Sequence, residues 1–380
     1  MPLGLYIHFP FCSKICPYCD FYVLRESEAK RAAFLPYYEK ELKLLSEKKP
    51  ELFSQKLGTI YFGGGTPSLL ETEQLAGLLK LIESRFDVSD DAEISLEANP
   101  NELLGNKPKE FRRLGINRLS IGMQSLNDAE LKLLGREHFP KQAEESAQNV
   151  RKSGFENFNI DLIFGVPGQT IEGWRQTLEK AAKWQPAHVS TYSLTIEERT
   201  VFYKLQQGGK LVLPPDELCQ EMYLTGIEFL EQNGYEQYEI SNFARPGFQS
   251  RHNLNYWRRK NYLGLGPSAH SFFKNQRWAN VRSLPIYQRR LDAGELPLEF
   301  EETIDQKKAV DEVLLLGLRQ KGGIRLNDLK NEFGYDLEKE KQTLLNRLAA
   351  QRFAHKENGQ LRLTPLGFYV SDRIIAELFP

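Results

Sequence analysis

Short apolar runs, rich in β-branched and aromatic residues, alternate along the first half of the chain with longer stretches in which apolar residues return every three or four positions. The short runs fall at 5–9, 59–62, 93–97, 118–122, 159–164 and 188–194. Helical periodicity fills the intervals at 28–48, 72–85, 107–114, 128–152 and 171–184. A strand that recurs after each helix predicts a parallel α/β sheet with right-handed crossovers. Six such units predict an incomplete (βα)6 barrel of the TIM type, in which the loops after the strands build the site. Those loops carry three cysteines after the first run and Gly63-Gly64-Gly65-Thr66 after the second. Glu97 ends the third run, Gln124 follows the fourth, and Asp161 lies on the fifth.

Beyond residue 195 the alternation stops. A helical pattern at 216–233 leads into an aromatic, Gly-rich stretch from 242 to 278, and a charged connector follows at 296–306. Helical patterns at 308–320, 326–333 and 337–350 precede two short strand-like runs around Asn358-Gly359, a strong hairpin signal. This last part resembles a winged helix. The expected organisation is a barrel over 1–200, an extension completing the core over 201–295, and a small winged-helix-like α+β domain over 300–380.

Charge and composition narrow the function. The 380 residues carry 50 basic and 51 acidic side chains, a net charge of −1, which argues against a polybasic nucleic-acid binder. The winged-helix-like part is neither basic nor glycine-armed, so a packing or lid role is expected there instead of DNA binding. No apolar run approaches the ~20 residues of a membrane span. The start, MPLGLYIHFPFC, has no basic segment or cleavage site of a signal peptide. The expectation is a cytoplasmic protein with at most peripheral membrane contact.

Three of the four cysteines crowd together as Cys12, Cys16 and Cys19. Disulfide scaffolds belong to small secreted domains, so a CxxxCxxC run here points to a metal or cluster. Zinc usually takes four ligands, and no fourth is evident. A cubane iron–sulfur cluster takes four thiolates when fully protein-bound; with three, one iron stays open to a substrate or cofactor. Cys219, inside the helical pattern DELCQEMYLTGIEFL, is expected to be a core residue and not a ligand.

The segment LYIHFPFCSKICPYCDF resembles the cluster loop of radical S-adenosylmethionine proteins, whose hallmark is CxxxCxΦC with an aromatic residue, here Tyr18, before the last cysteine. The resemblance implies a barrel of the radical SAM type and a 4Fe-4S cluster on Cys12, Cys16 and Cys19. It also implies S-adenosylmethionine chelated to the open iron, with one-electron cleavage to a 5′-deoxyadenosyl radical. From residue 5 into the C-terminal domain the chain resembles the anaerobic coproporphyrinogen III oxidase-like branch. In that branch the residues matching Tyr6, Glu97, Gln124, Arg136 and Asp161 line the S-adenosylmethionine pocket. Gly64, Gly65 and Thr66 sit where backbone carbonyls hold the methionyl amine. The residue chemistry agrees: Arg136 suits a carboxylate, Asp161 suits ribose hydroxyls, and Tyr18 offers a face to adenine.

Two kinds of protein make up that branch. The oxidases read CxxxCxxCxC and have a longer segment ahead of the cluster. Here Phe21 takes the extra cysteine position, and eleven residues precede Cys12. The chain is more similar to heme chaperones of the HemW type, which read CxxxCxxCDF and carry HNxxYW, here His252-Asn253-Leu254-Asn255-Tyr256-Trp257. Neutral imidazole is a good iron ligand, and Tyr256 and Trp257 offer flat faces to a macrocycle. Arg251, Arg258 and Arg259 could meet propionates. His270 ranks second as iron ligand. His8 is expected to support the cluster site, and His138, His188 and His355 to be structural. The resemblance implies binding of heme and its delivery to acceptor hemoproteins, with respiratory cytochromes as candidates, an electron donor for the cluster and a homodimer. The alternative is an oxygen-independent coproporphyrinogen III oxidase, or a radical enzyme acting on a related tetrapyrrole.

Overall fold

The computed structural model describes residues 2–380. Six strands run parallel in chain order: β1 (Leu3–Phe9), β2 (Leu57–Gly64), β3 (Val88–Ala98), β4 (Arg118–Gln124), β5 (Phe158–Phe164) and β6 (His188–Ser193). Six more strands extend the sheet: β7 (Glu236–Gln237), β8 (Asn242–Ala244), β9 (Tyr262–Leu265), β10 (His270–Phe273), β11 (Gln276–Asn280) and β12 (Leu298–Thr303). The spatial order is β12-β11-β10-β9-β1-β2-β3-β4-β5-β6-β8-β7. The two end strands do not meet, so the barrel is incomplete as expected.

The extension holds more sheet than its composition suggests. The stretch 242–278 shows no clear period because its strands are three to five residues long and a seven-residue helix interrupts them. β9 lies parallel to β1, pairing Gly4 with Tyr262 and Ile7 with Leu265. The first barrel strand is therefore buried on both edges, and its side chains Leu3, Leu5, Ile7 and Phe9 enter the core.

The helical patterns are present, with two informative breaks. The stretch 28–48 is two helices, α1 (Glu28–Phe34) and α2 (Pro36–Lys48), because Pro36 has no N–H to donate and fits only a first turn. α3 (Thr72–Glu83) and α4 (Lys107–Arg113) follow β2 and β3. The stretch 128–152 is also divided, into α5 (Asp128–Leu133) and α6 (Pro140–Lys152). Gly135, at φ +70°, ends α5: its N–H donates to Lys132 O at 3.1 Å and the Arg136 N–H to Leu131 O at 2.9 Å. A single helix was expected there, and the break frees Arg136 from the helix. α7 (Ile171–Lys183) completes the barrel, and α8 (Val201–Gln207), α9 (Asp216–Gln232) and α10 (Arg251–Trp257) belong to the extension.

The C-terminal part begins with α12 (Gln306–Gly317), after α11 (Leu284–Asp292) of the extension. It holds a three-stranded sheet of β13 (Ile324–Arg325), β14 (Ala354–Glu357) and β15 (Gln360–Leu363), in the order β13-β15-β14. The hairpin turns at Asn358 and Gly359, both at positive φ. This is the winged-helix-like arrangement. It is docked on the extension by Glu312, which pairs with Arg259 and Arg277 at 2.6 Å each, and by Gln320, which donates to Trp257 O at 2.9 Å. No helix among the described residues is long and apolar enough to cross a membrane.

Candidate cofactor site

The carboxyl ends of β1 to β6 surround a cavity of about 410 Å3. Cys12, Cys16 and Cys19 lie on its rim, on the loop that follows β1. That loop is clasped by a two-residue ribbon: Leu24 N donates to Pro10 O at 2.6 Å and Glu26 N to Cys12 O at 2.9 Å. From the far side Phe202 N, on α8, donates to Pro17 O at 2.9 Å. Tyr18 lines the cavity and packs on Phe202.

β2 brings Gly64 and Gly65, followed by Thr66. Gly64, at φ +101°, has no room for a side chain, because a Cβ would stand 2.4 Å from His8 Nδ1. The glycines thus serve the fit of β2 against β1 as well as the cavity wall. Thr66 Oγ1 donates to Cys12 Sγ at 3.4 Å. Burial pushes the Cys12 thiol up to about 12, so proton loss there requires a cation to compensate.

Glu97 ends β3 and accepts from Tyr61 Oη at 2.8 Å and Gly64 N at 3.1 Å. Burial, aided by the charge of Asp161, nevertheless lifts its carboxyl to about 7. Gln124 takes a left-handed conformation, φ 65°, where β4 shifts register against β5, and it lines the cavity. Asp161 on β5 accepts from Asn159 Nδ2 at 2.8 Å and Ser120 Oγ at 3.1 Å, and burial raises its pKa.

Arg136 spans the site. It donates to Gly122 O at 2.7 Å, to Asn99 Oδ1, and to Cys16 Sγ at 3.5 Å. Its Nε is buried without a partner. Three thiols on one rim, donors aimed at two of the sulfurs, and an unpaired buried guanidinium nitrogen fit an anionic thiolate-bound cluster and a ligand carboxylate. Cys219 stands apart, half-buried on α9 against Gly165.

Asn99, Tyr61, Ser120 and Asn159 also shape this cavity and were not singled out from sequence. Their signal was polar side chains at alternate positions on strands expected to be buried.

Tyr6 pairs in register with Tyr61 and stacks on it at 6.2 Å between centroids. It lines a second cavity of about 700 Å3 on the other side of the cysteine loop, with His8, Tyr22, Tyr256, Tyr262, His270 and Arg282. Tyr18, Cys19 and Phe21 face both cavities, and Phe21 is 70% exposed.

The HNxxYW residues form the short helix α10, not a loop. Ser250 Oγ accepts from Asn253 N at 3.3 Å, and Glu93 accepts from the Arg251 and His252 N–H groups at 2.9 and 3.0 Å. These are the free N–H groups of a helix start. Asn253 reaches the first cavity and Tyr256 the second. His252 reaches neither: it is 1% exposed, with Nδ1 2.8 Å from Thr59 Oγ1 and Nε2 2.8 Å from Tyr256 Oη. Burial lowers its pKa to about 3. Trp257 is half-buried beside the C-terminal domain. Arg251 and Arg259 are engaged by Asp91 and Glu312.

A βα barrel with its cysteine loop at the carboxyl end of β1 is the architecture of a radical SAM protein, and residues 6–181 match the radical SAM superfamily. Residues 304–370 match the HemN C-terminal domain. The chain is 35% identical over 373 residues to the heme chaperone HemW of Lactococcus lactis, covering 98% of this chain and 96% of that protein. It is 35% identical to the heme chaperone HemW of Bacillus subtilis, covering 97% of each. The solved coproporphyrinogen III oxidase (HemN) of Escherichia coli superposes with a TM-score of 0.86 at 25% identity, over 100% of this chain and 90% of that one. The chain belongs to the HemW family.

Proposed function

We propose that this protein is a heme chaperone that holds a 4Fe-4S cluster and S-adenosylmethionine and delivers heme to acceptor hemoproteins. The observation that carries this is full-length similarity to proteins named heme chaperone, joined to Phe21 at the position where the oxidases carry a further cysteine. Phe21 has no proton to give or take. Cys12, Cys16 and Cys19 would hold the cluster, with Thr66 and Arg136 donating to sulfur. Arg136 would meet the methionyl carboxylate, the backbone of Gly64, Gly65 and Thr66 the amine, Asp161 the ribose and Tyr18 the adenine, with Tyr6, Glu97 and Gln124 lining the pocket. When bound, the pair supplies one-electron chemistry. On this reading respiratory cytochromes are among the acceptors, an electron donor serves the cluster, and the chain works as a cytoplasmic homodimer.

The superposition on HemN supports the second reading, an oxygen-independent oxidase. One experiment separates them. The cluster is reconstituted anaerobically, and samples receive either heme or coproporphyrinogen III with S-adenosylmethionine and a strong reductant. A stable Soret band near one heme per chain without decarboxylated product is the expected outcome. Protoporphyrinogen with 5′-deoxyadenosine would establish the oxidase.

A further inference from the structure

The HNxxYW histidine is poorly placed to meet iron. Its two ring nitrogens are both spent on Thr59 and Tyr256, and its ring stacks on Tyr61 at 5.1 Å between centroids. Freeing it would take the Tyr256 hydroxyl's partner away and leave Thr59 Oγ1 with Asn255 Nδ2 alone, at 3.2 Å. His8, on the neighbouring wall, is spent in the same way, on Tyr6 Oη at 3.1 Å and Tyr22 O at 2.8 Å. His188 bonds Asn159 and Tyr238, and His138 is buried against Met123 O. His355 lies on the wing strand β14.

His270 differs from all of these. It opens β10, is exposed, lines the second cavity, and no protein group among the described residues hydrogen-bonds its ring. Its position is fixed from behind. Gly266, at φ +96°, presses on β1, and a Cβ there would stand 2.5 Å from His8 O. Buried Glu41 accepts from Gly266 N at 2.8 Å, Asn280 Nδ2 at 2.5 Å and Tyr287 Oη at 2.6 Å. Asn280 N in turn donates to Ala269 O at 2.9 Å. A free imidazole on a braced turn is a ligand held ready.

The cavity around it suits a flat macrocycle. Its volume of about 700 Å3 falls within the 300–1,000 Å3 of ligand pockets. Tyr6, Tyr256 and Tyr262 give it aromatic walls, with Tyr256 and Tyr262 edge to face at 4.6 Å. Arg282 is the wall's one cation among the described residues; it is shared with Asp20, and Glu197 lies on the same wall. Burial, with Arg277, lowers the His270 pKa, which keeps the ring neutral as iron binding requires.

We infer that the second cavity is the heme seat, that His270 is the side chain that meets the iron, and that His252 is a positioning residue acting through Tyr256. This inference rests on the heme-carrier reading above. It gives the HNxxYW helix a bridging role: Asn253 touches the first cavity, Tyr256 the second, and His252 ties them together.

The test is a hemin titration of the full-length, cluster-loaded protein, followed by absorption and magnetic circular dichroism. Cluster content serves as the check on folding. His270→Ala is exposed at a surface turn and is expected to weaken hemin at least tenfold and to remove the imidazole signature, which added imidazole then restores. His252→Ala is expected to weaken hemin less and to keep that signature. If His270→Ala keeps the signature while His252→Ala loses it, the inference is overturned and the carrier reading stands. If the unaltered protein binds no hemin, both fail.

Discussion

The two cavities share a wall and differ in how they are made. The first is built from the ends of consecutive strands, so each of its groups sits on its own βα unit: cysteines after β1, Thr66 after β2, Glu97 on β3, Gln124 at the end of β4 and Asp161 on β5. The second is assembled from both ends of the barrel region, with Tyr6 and His8 meeting Tyr256, Tyr262, His270 and Arg282. A site made of strand ends is specified by local spacing. A site made of distant turns is specified by packing, here by Glu41 and Gly266. The difference can be broken open experimentally.

The largest effect is expected on the first side of the wall. Replacing Cys12, Cys16 or Cys19 with Ser should abolish the cluster, read as iron and acid-labile sulfide per chain, while Cys219→Ser keeps it. Equal loss with Cys219→Ser would break the ligand assignment. Next, Arg136→Ala removes charge-assisted hydrogen bonds worth about 1.5–3 kcal/mol each, so S-adenosylmethionine affinity should fall at least tenfold by equilibrium dialysis. Hemin binding should change far less.

On the second side, Gly266→Ala forces a Cβ against His8 O at positive φ. It should lower Tm by several degrees, consistent with about 1–3 kcal/mol of backbone strain. It should weaken hemin more than S-adenosylmethionine, the reverse of Arg136→Ala. The reverse order in both variants would mean that the cavities are not separate seats.

The smallest effect is on pH. Glu41 and Glu97 each have a carboxyl lifted by burial from 4.5 to about 7. Between those values the folded chain binds more protons than the unfolded one, so stability falls as pH rises through the window. Buried His8 and His252, held down to about 4 and 3, work in the opposite sense up to about pH 6.5, so the carboxyl share is read as a difference between melts of the cluster-free parent and of a Glu→Gln variant from pH 4.5 to 8. Glu41→Gln should remove its own share of the slope and leave that of Glu97. An unchanged slope would show that Glu41 is already ionised below pH 5.

Much of the barrel and the first cavity was legible in the chain. The strand–helix rhythm gives the six parallel strands, and the cysteine spacing and glycine run are contiguous signals. Arg136 was legible as a residue but not as a geometry, because helical periodicity runs through 128–152 and conceals the stop at Gly135. The HNxxYW stretch was not legible as a helix. Seven residues, about two turns, are too few to show a period, yet the four-residue step from His252 to Tyr256 is what brings them onto one face. The second cavity was legible only as scattered residues: Tyr6, Tyr256 and His270 stand out in the sequence, but not their meeting. Tyr6 was named through the resemblance alone; it stands in register with Tyr61, a wall residue of the first cavity, stacks on it at 6.2 Å, and lines the second cavity. The open state of His270 and the closed state of His252 follow only from tertiary hydrogen bonds.

The pairing of β9 with β1 carries a consequence for how the molecule is born. A ribosome releases β1 first, yet one edge of that strand waits for residues 262–265. Until then β1 presents unpaired backbone groups beside an apolar face, the condition that invites non-native association. Such late, long-range closure slows folding, whereas the clasp of the cysteine loop by Leu24 and Glu26 is local and can form early. The strand that carries the cysteine loop is thus half-paired until Gly266 and its neighbours are made.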